Sequence, residues 1–183
     1  MTAPVLLLPG IGNSGPDHWQ SHWERTVPGC SRLHQLEWDA PRCADWVGVL
    51  DAALAAAPAP VVLVTHSSAC AVVAHWTLAA TDATRAKVQG ALLVGPSDPT
   101  GPHYPQGPTG FAPVPLVRLP FPSIVVASTD DLYVSLETAQ RFASAWGSRF
   151  ENVGAAGHIN SASNLGDWPA GQALLGELRN RST

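Results

Sequence analysis

The residues best suited to chemistry stand together at positions 66–68, where a histidine and two serines interrupt an apolar stretch. Residues 61–75 read VVLVTHSSACAVVAH, which predicts a buried strand followed directly by a helix rich in small residues. A serine in the sharp turn between such elements exposes its hydroxyl, and the first N–H groups of the helix can stabilise an oxyanion. The stretch therefore indicates a nucleophilic serine, although a serine at this place can also simply cap the helix.

The space available in such a turn distinguishes between the two serines. The usual pattern G-x-S-x-G has small residues two positions before and after the nucleophile, because the strand and helix backbones pass close there. A turn centred on Ser67 has Thr65 and Ala69 at these positions, whereas one centred on Ser68 would have a histidine at the first. We therefore predict Ser67 as the nucleophile and the backbone N–H of Ser68 as one donor of an oxyanion hole.

A serine nucleophile needs a histidine to take its proton and a carboxylate to orient that histidine. Where the serine stands on a strand–helix turn, the order along the chain is serine, acid, histidine. Asp130 and Asp131 follow the apolar run SIVVA, and His158 lies in the later Gly-rich segment GAAGHIN. Either aspartate could instead stabilise a turn or cap the next helix. The order nevertheless predicts that His158 and one of the aspartates converge on Ser67.

The Gly-rich loop PGIGNSG at residues 9–15 follows the first apolar run. Glycines let a backbone approach a substrate closely, so we expect Gly10 and Gly12 at a substrate pocket. The N–H of Ile11, with Gly12 as second choice, is the expected partner donor of the oxyanion hole. The loop also matches the spacing G-x-G-x-x-G of a dinucleotide site, with Glu37 or Asp39 as the ribose-binding acid. That alternative would leave the serine, aspartate and histidine without a role.

Candidate metal ligands are sparse. His18 and His22 are four residues apart and could share a helix face, but a tryptophan occupies the place of the glutamate in H-E-x-x-H. The cysteines at 30, 43 and 70 show no C-x-x-C spacing, which indicates reduced thiols. Cys70 is expected to be a small packing residue rather than a nucleophile. We predict no metal and no cofactor.

The elements that must position these residues alternate between short apolar runs and helical patterns, which implies βαβ crossovers and a parallel sheet with helices on both faces. Helices are predicted at 17–26 with Asp17 as N-cap, and at 42–57, 68–80, 135–146 and 168–180. Six strands are predicted, at Val5–Leu8, Leu33–Leu36, Val61–Val64, Ala91–Val94, Ser123–Ala127 and Arg149–Val153.

Residues 95–122 interrupt this alternation and contain nine prolines. Proline disfavours helix, so the segment is predicted to be an extended, ordered loop that leaves one strand and enters the next. Ligands of α/β proteins bind at the carboxyl ends of the strands, where such a loop would lie. We expect His103, Tyr104 and Phe111 from this loop, together with His66, to line the substrate pocket. A surface excursion without function is the alternative.

The composition fits one globular domain spanning residues 1–183, with 45% hydrophobic and 13% charged residues. The formal net charge is −4 and no basic run is present, which argues against a nucleic-acid partner. The sequence lacks both an 18-residue apolar run and the pattern of a signal peptide. We therefore expect no membrane partner and a soluble, cytoplasmic protein.

Four segments carry a family resemblance: PGIGNSGPDHWQSHWE at 9–24, THSSAC at 65–70, LPFPSIVVASTDDLY at 119–133 and AGHIN at 156–160. Together they resemble the small serine hydrolases related to retinoblastoma-binding protein 9, including bacterial members such as YdeN, over nearly the whole chain. The resemblance implies a compact α/β-hydrolase fold without a large cap domain. It implies a triad of Ser67, Asp131 and His158, because members keep an acid at the second position of the aspartate pair. Members commonly have G-H-S-x-G, where this chain has Thr65 and Ala69.

The predicted fold is thus α/β, with a mostly parallel sheet of about six strands in the order 2-1-3-4-5-6. The predicted function is hydrolysis of a small-molecule carboxylic ester or amide through an acyl-enzyme intermediate. An alternative follows from the missing glycines of the turn. The same scaffold could bind a protein or a ligand while turning over weakly or not at all.

Overall fold

The computed structural model describes residues 2–180, which are built around a six-stranded sheet. The strands are β1 (Val5–Leu8), β2 (Cys30–Arg32), β3 (Val61–His66), β4 (Val88–Val94), β5 (Ser123–Ala127) and β6 (Arg149–Asn152). The order is β2-β1-β3-β4-β5-β6, and every neighbouring pair is parallel. The predicted α/β fold and strand order are therefore confirmed.

Helices cover both faces of the sheet, as predicted. In residues 2–180 they are α1 (Trp19–Thr26), α2 (Cys43–Ala56), α3 (Ala69–Ala79), α4 (Asp82–Arg85), α5 (Leu136–Trp146) and α6 (Pro169–Arg179), with a 3-10 turn at Ser161–Ser163. Buried side chains of α2, α3 and α5 form the core on one face, and those of α1 and α6 form the core on the other. Among the described helices, none has the length and apolar character needed to cross a membrane.

β3 is buried along its whole length because both faces of the sheet are covered. Leu63 belongs to the core beneath α2, α3 and α5, whereas Val62 and Val64 belong to the core beneath α1 and α6. A strand buried on both faces appears in sequence as a continuous apolar run rather than an alternating one. This is why the run VVLV identified the strand. Burial on both faces also makes β3 a rigid support for Ser67, which follows it.

The second strand lies earlier in the chain than predicted. β2 is Cys30–Arg32, which pairs with residues 5–7 of β1, and not 33–36. Leu36, within the predicted strand, is 86% exposed. β2 is a three-residue edge strand with a single neighbour, so backbone pairing defines it more than burial of apolar side chains does. The strand predicted at 33–36 from its apolar residues is therefore wrong.

The N-cap of α1 and the start of β4 also differ from prediction. The N-cap of α1 is His18, whose Nδ1 accepts a hydrogen bond from the N–H of Gln20 at 3.1 Å, while Asp17 is exposed. β4 begins at Val88 rather than at 91, and it shifts register against β3 at its first residues. Capping by a histidine ring is not a preference that sequence patterns report, because Ser, Thr, Asp and Asn are the usual N-caps.

The proline-rich segment 95–122 is an ordered connection between β4 and β5. Backbone hydrogen bonds of 2.9 Å join Thr109 to Pro41 and Cys43 at the start of α2. Phe111 and Phe121 are buried in the core beneath α2 and α3. The segment is thus fixed at both the backbone and the side-chain level, and its first residues reach the carboxyl edge of the sheet.

Candidate active site

The turn between β3 and α3 holds Ser67 in a conformation that few residues with a side chain adopt. Its φ is 60°, in the left-handed region, which costs an L-residue on the order of 1 kcal/mol or more. The N–H of Ser67 donates to the carbonyl of Val94 in β4 at 2.9 Å, so the neighbouring strand fixes the turn. The strained backbone presents the Ser67 hydroxyl at the carboxyl edge of the sheet.

Thr65 and Ala69 occupy the places of the usual glycines, and both are buried. Oγ1 of Thr65 lies 3.0 Å from Sγ of Cys70, so the buried hydroxyl is hydrogen-bonded. Burial raises the pKa of the Cys70 thiol to about 12, which keeps it protonated. The threonine therefore fits between strand and helix because the second residue of α3 is a small thiol.

His158 and Asp131 lie in line behind the Ser67 hydroxyl. Oγ of Ser67 is 2.9 Å from Nε2 of His158, and Nδ1 of His158 is 2.8 Å from Oδ2 of Asp131. The Asp131 side chain is fully buried, and its Oδ1 also accepts the N–H of Tyr133 at 2.8 Å. An ionised carboxylate can only accept hydrogen bonds, so Nδ1 of His158 carries the ring proton. Nε2 is then an acceptor for the Ser67 hydroxyl.

Asp130 points to a different set of partners. Its Oδ1 accepts the hydroxyl of Ser128 at 2.7 Å and the N–H of Gly157 at 2.8 Å. These two hydrogen bonds, with that of Ser128 the larger cause, hold the pKa of Asp130 below its usual range. Of the two aspartates, Asp131 contacts the imidazole of His158. Asp130 instead stabilises the backbone of the loop that carries His158, through the N–H of Gly157.

Two backbone N–H groups near Ser67 are free to bind an oxyanion. Among the described residues, no acceptor is found for the N–H of Ile11 or of Ser68, the two predicted donors. Gly12, the second choice, donates its N–H to the carbonyl of Trp38 at 2.8 Å and is occupied. Gly10 packs directly against Ser67, because a Cβ at this position would lie 2.7 Å from Cβ of Ser67.

A cavity of about 530 Å³ opens in front of the Ser67 hydroxyl. Its wall includes Ile11, His66, Ser68 and His103 from the predicted set. None of the described residues that line it is an aspartate, glutamate, lysine or arginine. Besides the predicted residues, the wall includes six polar side chains that carry no formal charge: Asn13, His18, Ser97, Tyr133, Asn160 and Ser161. The site is therefore suited to an uncharged ligand that can form hydrogen bonds.

Four residues predicted for the pocket do not line this cavity: Gly10, Gly12, Tyr104 and Phe111. The Phe111 side chain is 2% exposed and packs edge-on against Trp46 in the core, with ring centroids 5.8 Å apart. The prediction failed there because an aromatic ring in a proline-rich loop is stabilised by burial and not only by contact with ligand. Tyr104 contacts a residue of the cavity wall rather than the cavity itself, since its hydroxyl is 3.0 Å from Oγ of Ser68.

His66 lines the cavity and also supports His158. Its Nε2 lies 2.9 Å from the backbone oxygen of His158, which can only accept, so Nε2 is the protonated nitrogen. Burial, together with the nearby His158 and His18 rings, lowers the pKa of His66 well below its usual value. The neutral His66 ring thus fixes the backbone of the residue whose imidazole contacts Ser67.

Ser97 and His18 are among the polar residues of the cavity that were not predicted for it. Oγ of Ser97 is 2.8 Å from Oγ of Ser67, and Ser97 is buried. Its position directly after β4, in the sequence LLVGPS, follows the same strand-end rule that identified the other site residues. The spacing of His18 and His22 indicated surface or loop-contacting histidines, or less readily metal ligands, and not a place in the pocket; His22 lies 3.5 Å from the carboxylate of Asp167. In residues 2–180 no group of three such side chains could hold a metal ion.

Comparison with known proteins assigns the chain to a family. Residues 5–177 match the family described as Serine hydrolase. A structure assigned as a YdeN-like hydrolase from Pectobacterium atrosepticum is 31% identical, with a TM-score of 0.82 and coverage of 97% of this chain and 91% of that one. No match to a curated protein was found.

Two further structures share the fold at lower identity. The ydeN gene product of B. subtilis is 18% identical, with a TM-score of 0.74 and coverage of 98% of this chain and 100% of that one. A monoacylglycerol lipase of Paleococcus ferrophilus is 13% identical, with a TM-score of 0.71 and coverage of 100% and 97%. Because the family match extends over most of its length, and the geometry at Ser67 agrees with it, the chain belongs to the serine hydrolase family. It has the α/β-hydrolase fold of its YdeN-like relatives.

Proposed function

We propose that this protein hydrolyses uncharged carboxylic esters or amides through an acyl-enzyme formed on Ser67. The observation that carries the proposal is the hydrogen-bonded series from Ser67 Oγ to His158 Nε2 at 2.9 Å and from His158 Nδ1 to Asp131 at 2.8 Å. A buried carboxylate, a histidine of fixed tautomer and a strained serine are the parts that acyl transfer requires.

In the first half of the reaction, the Ser67 hydroxyl attacks the carbonyl carbon of the substrate. His158 Nε2 takes the hydroxyl proton as the bond between Oγ and the carbon forms. Asp131 stabilises the imidazolium and remains ionised. The oxyanion of the tetrahedral intermediate accepts the N–H groups of Ile11 and Ser68, and each such donor typically lowers the barrier by roughly 3 kcal/mol. The bond to the leaving group then breaks, and the proton on Nε2 passes to the leaving oxygen or nitrogen.

In the second half, a water molecule replaces the leaving group and attacks the acyl-enzyme. His158 Nε2 takes one proton from this water and returns it to Ser67 Oγ when the acid product departs. Both halves use the same two N–H donors, because the negative oxygen develops at the same place each time. No cofactor or metal takes part in the proposed sequence of steps.

The alternative is a binding scaffold of the same fold with little turnover. Its argument from sequence was the loss of the turn glycines, but the packing of Thr65 against Cys70 accommodates this change. A pure binding role also gives no reason for a serine at a φ of 60°, which a glycine would adopt without strain. These features favour catalysis.

Labelling with a fluorophosphonate probe tests the proposal. The phosphonate forms a covalent bond with an activated serine, so the wild-type protein is expected to be labelled. Labelling should disappear in Ser67→Ala. It should persist in Ser68→Ala, because that variant keeps the backbone N–H that the mechanism uses. Absence of labelling in well-folded wild type would instead favour the binding scaffold.

The substrate class is then read from activity on two panels, p-nitrophenyl esters and aminoacyl amides. Esters with short uncharged acyl groups are expected to be cleaved, since the described wall of the cavity has no formal charge outside its histidines. Cleavage of amides alone would narrow the proposal to amidase chemistry. Cleavage of neither panel by a protein that still labels at Ser67 would contradict the proposed substrate class.

A further inference from the structure

His18 lies in the wall of the cavity beside Ser67 but has no part in the proposed proton transfers. Its Nδ1 accepts the N–H of Gln20 at 3.1 Å and thereby caps the N-terminus of α1. A ring nitrogen that accepts a hydrogen bond carries no proton, so the proton of the neutral imidazole must be on Nε2. The cap therefore fixes His18 as a donor on its other edge.

The charge state of His18 is also fixed by its surroundings. Burial lowers the pKa of His18 to about 3, and the nearby Arg32 and His158 add to the effect. The ring is then neutral in any buffer in which the protein would ordinarily work. It can donate one hydrogen bond from Nε2 and carries no charge with which to attract an anion.

The Nε2 donor of His18 has no acceptor among the described residues, although it is buried. Buried polar groups are nearly always hydrogen-bonded, so an unpaired one calls for an explanation. The neighbouring His66 ring stands edge to face at 69°, with centroids 4.7 Å apart. The unprotonated Nδ1 of His66 forms no hydrogen bond with Nε2 of His18, so this ring offers it at most a π face, which is a weak acceptor. The capping function explains Nδ1 and leaves Nε2 unexplained.

The rest of the cavity indicates what kind of acceptor would fit. The oxyanion of the scissile carbonyl already has the N–H groups of Ile11 and Ser68, so His18 is available to a different atom. No lysine or arginine is among the described lining residues. A carboxylate would lose its hydration without a cation to compensate, which is costly. An uncharged oxygen meets no such cost.

We propose that Nε2–H of His18 binds a second, uncharged oxygen of the substrate, a carbonyl or ether oxygen separate from the scissile group. The substrate class becomes esters or amides that carry such an oxygen in the part bound in the cavity. This inference rests on the proposed hydrolytic function.

The test uses p-nitrophenyl esters of matched chain length. The parent acyl group is pentanoate; ethoxyacetate and methoxypropanoate place an ether oxygen in the same chain, and levulinate adds a ketone. The variant is His18→Asn, because an Asn side-chain oxygen can cap the helix while the shorter side chain removes the donor at Nε2. We expect the wild type to prefer at least one oxygen-bearing ester over pentanoate in kcat/KM. His18→Asn should reduce that preference about tenfold, mainly through KM.

Several outcomes would overturn the inference. Equal losses on pentanoate and on the oxygen-bearing esters would mean that His18 acts on the scissile oxygen or only on the fold. An unchanged preference would mean that Nε2 binds nothing but water. A preference for the hemisuccinate ester, which carries a carboxylate, would contradict an uncharged ligand.

His22→Asn is the matched control, since this histidine is on the same helix and does not line the cavity. It is expected to leave the substrate preference unchanged, and a loss equal to that of His18→Asn would assign the effect to the helix as a whole. Fluorophosphonate labelling separates the two levels of the proposal. If the wild-type protein is not labelled, the proposed hydrolytic function is contradicted. If it is labelled but shows no preference for oxygen-bearing esters, only the proposed role of His18 is contradicted.

Discussion

Asp130 and Asp131 are adjacent in sequence, yet their side chains have different partners. Asp131 is buried against the imidazole of His158, and Asp130 accepts the N–H of Gly157 on the same loop. Successive side chains in an extended or turning segment point in different directions, so only one of a pair can face a given neighbour. The roles of two identical residues are thus separated by direction alone.

We predict that Asp131→Asn lowers kcat on a p-nitrophenyl ester by about 10⁴-fold, because an amide can neither fix the His158 tautomer nor stabilise the imidazolium. Asp130→Asn should keep kcat within about tenfold of wild type, since its amide oxygen can still accept from Ser128 and Gly157. Steady-state kinetics on both purified variants provide the measurement. The reverse ranking would transfer the catalytic role to Asp130.

Ser97 is a second residue at which a single substitution should change the rate of hydrolysis. Since His158 Nε2 accepts the hydroxyl of Ser67, the hydroxyl of Ser97 at 2.8 Å is oriented to donate to Ser67 Oγ. Ser97→Ala should lower kcat roughly tenfold with little change in KM, because the nucleophile loses a hydrogen bond that restricts its rotamer. Ser97→Thr retains a hydroxyl and should recover activity. A Ser97→Ala variant with wild-type kcat would show that this contact does not position Ser67.

At the scale of elements, the loop that carries His158 is fastened to the helix and strand beside it. His66 at the end of β3 donates to the backbone oxygen of His158, and Trp19 at the start of α1 donates Nε1–H to the backbone oxygen of Ile159 at 2.8 Å. The loop of His158 is therefore positioned by α1 and by β3, the strand that also leads into the Ser67 turn. This is how a loop residue can hold a 2.9 Å contact with Ser67.

A pair of tryptophan variants tests this fastening. Trp19→Phe removes the donor to Ile159 and should reduce kcat about tenfold, since small shifts of a catalytic group are costly. Trp23 is buried on the same helix and donates to the backbone of Asp167 at 2.8 Å, away from His158. Trp23→Phe should therefore cost similar stability in thermal unfolding while retaining more activity. Equal kinetic losses would indicate general loosening of α1.

The contact between the Gly-rich loop and the turn is a second element-level constraint. Gly10→Ala should abolish activity and lower thermal stability, because its Cβ would lie 2.7 Å from Cβ of Ser67 and 3.0 Å from the backbone oxygen of His66. Gly15 belongs to the same loop, has no neighbour within 4 Å of a built Cβ, and does not have a positive φ. Gly15→Ala is therefore expected to behave as wild type. A Gly10→Ala protein that folds and hydrolyses esters normally would contradict this close approach.

At the scale of the whole molecule, burial of neutral histidines between α1 and the sheet links folding to pH. His18 and His66 are 3% and 5% exposed, and both have a lowered pKa in the folded state. The unfolded chain binds protons at these rings from about pH 6.5 downward, whereas the folded chain does not. The stability associated with the neutral rings is thus present above this pH and is lost as the pH falls.

We predict that the free energy of unfolding decreases as the pH is lowered from about 6.5 towards 3, the window set by His18. One such histidine contributes a slope of about 1.4 kcal/mol per pH unit once the unfolded form is protonated. Urea denaturation of wild type and His18→Asn at several pH values measures it, and the variant should have a smaller slope by about that amount. Identical slopes would mean that the folded protein can protonate His18.

The sequence by itself determined the alternation of strands and helices, the Ser67 turn and the chain order of serine, acid and histidine. These features depend on contiguous residues: a continuous apolar run indicates a strand buried on both faces, and glycines or polar residues after it mark the carboxyl edge of the sheet. The preference for Asp131 over Asp130 came from the family resemblance and not from spacing. The edge strand β2 could not be located, since a three-residue strand with one neighbour has almost no burial pattern.

The tertiary structure alone decided which side chains meet. It brought Ser97 to Ser67, took Phe111 into the core against Trp46, and turned His18 so that one ring nitrogen caps α1. Such contacts join segments that are distant in sequence, and a difference of one or two ångströms separates a hydrogen bond from no interaction. Sequence patterns report the period and the ends of elements; the direction of each side chain at those ends depends on how the elements pack.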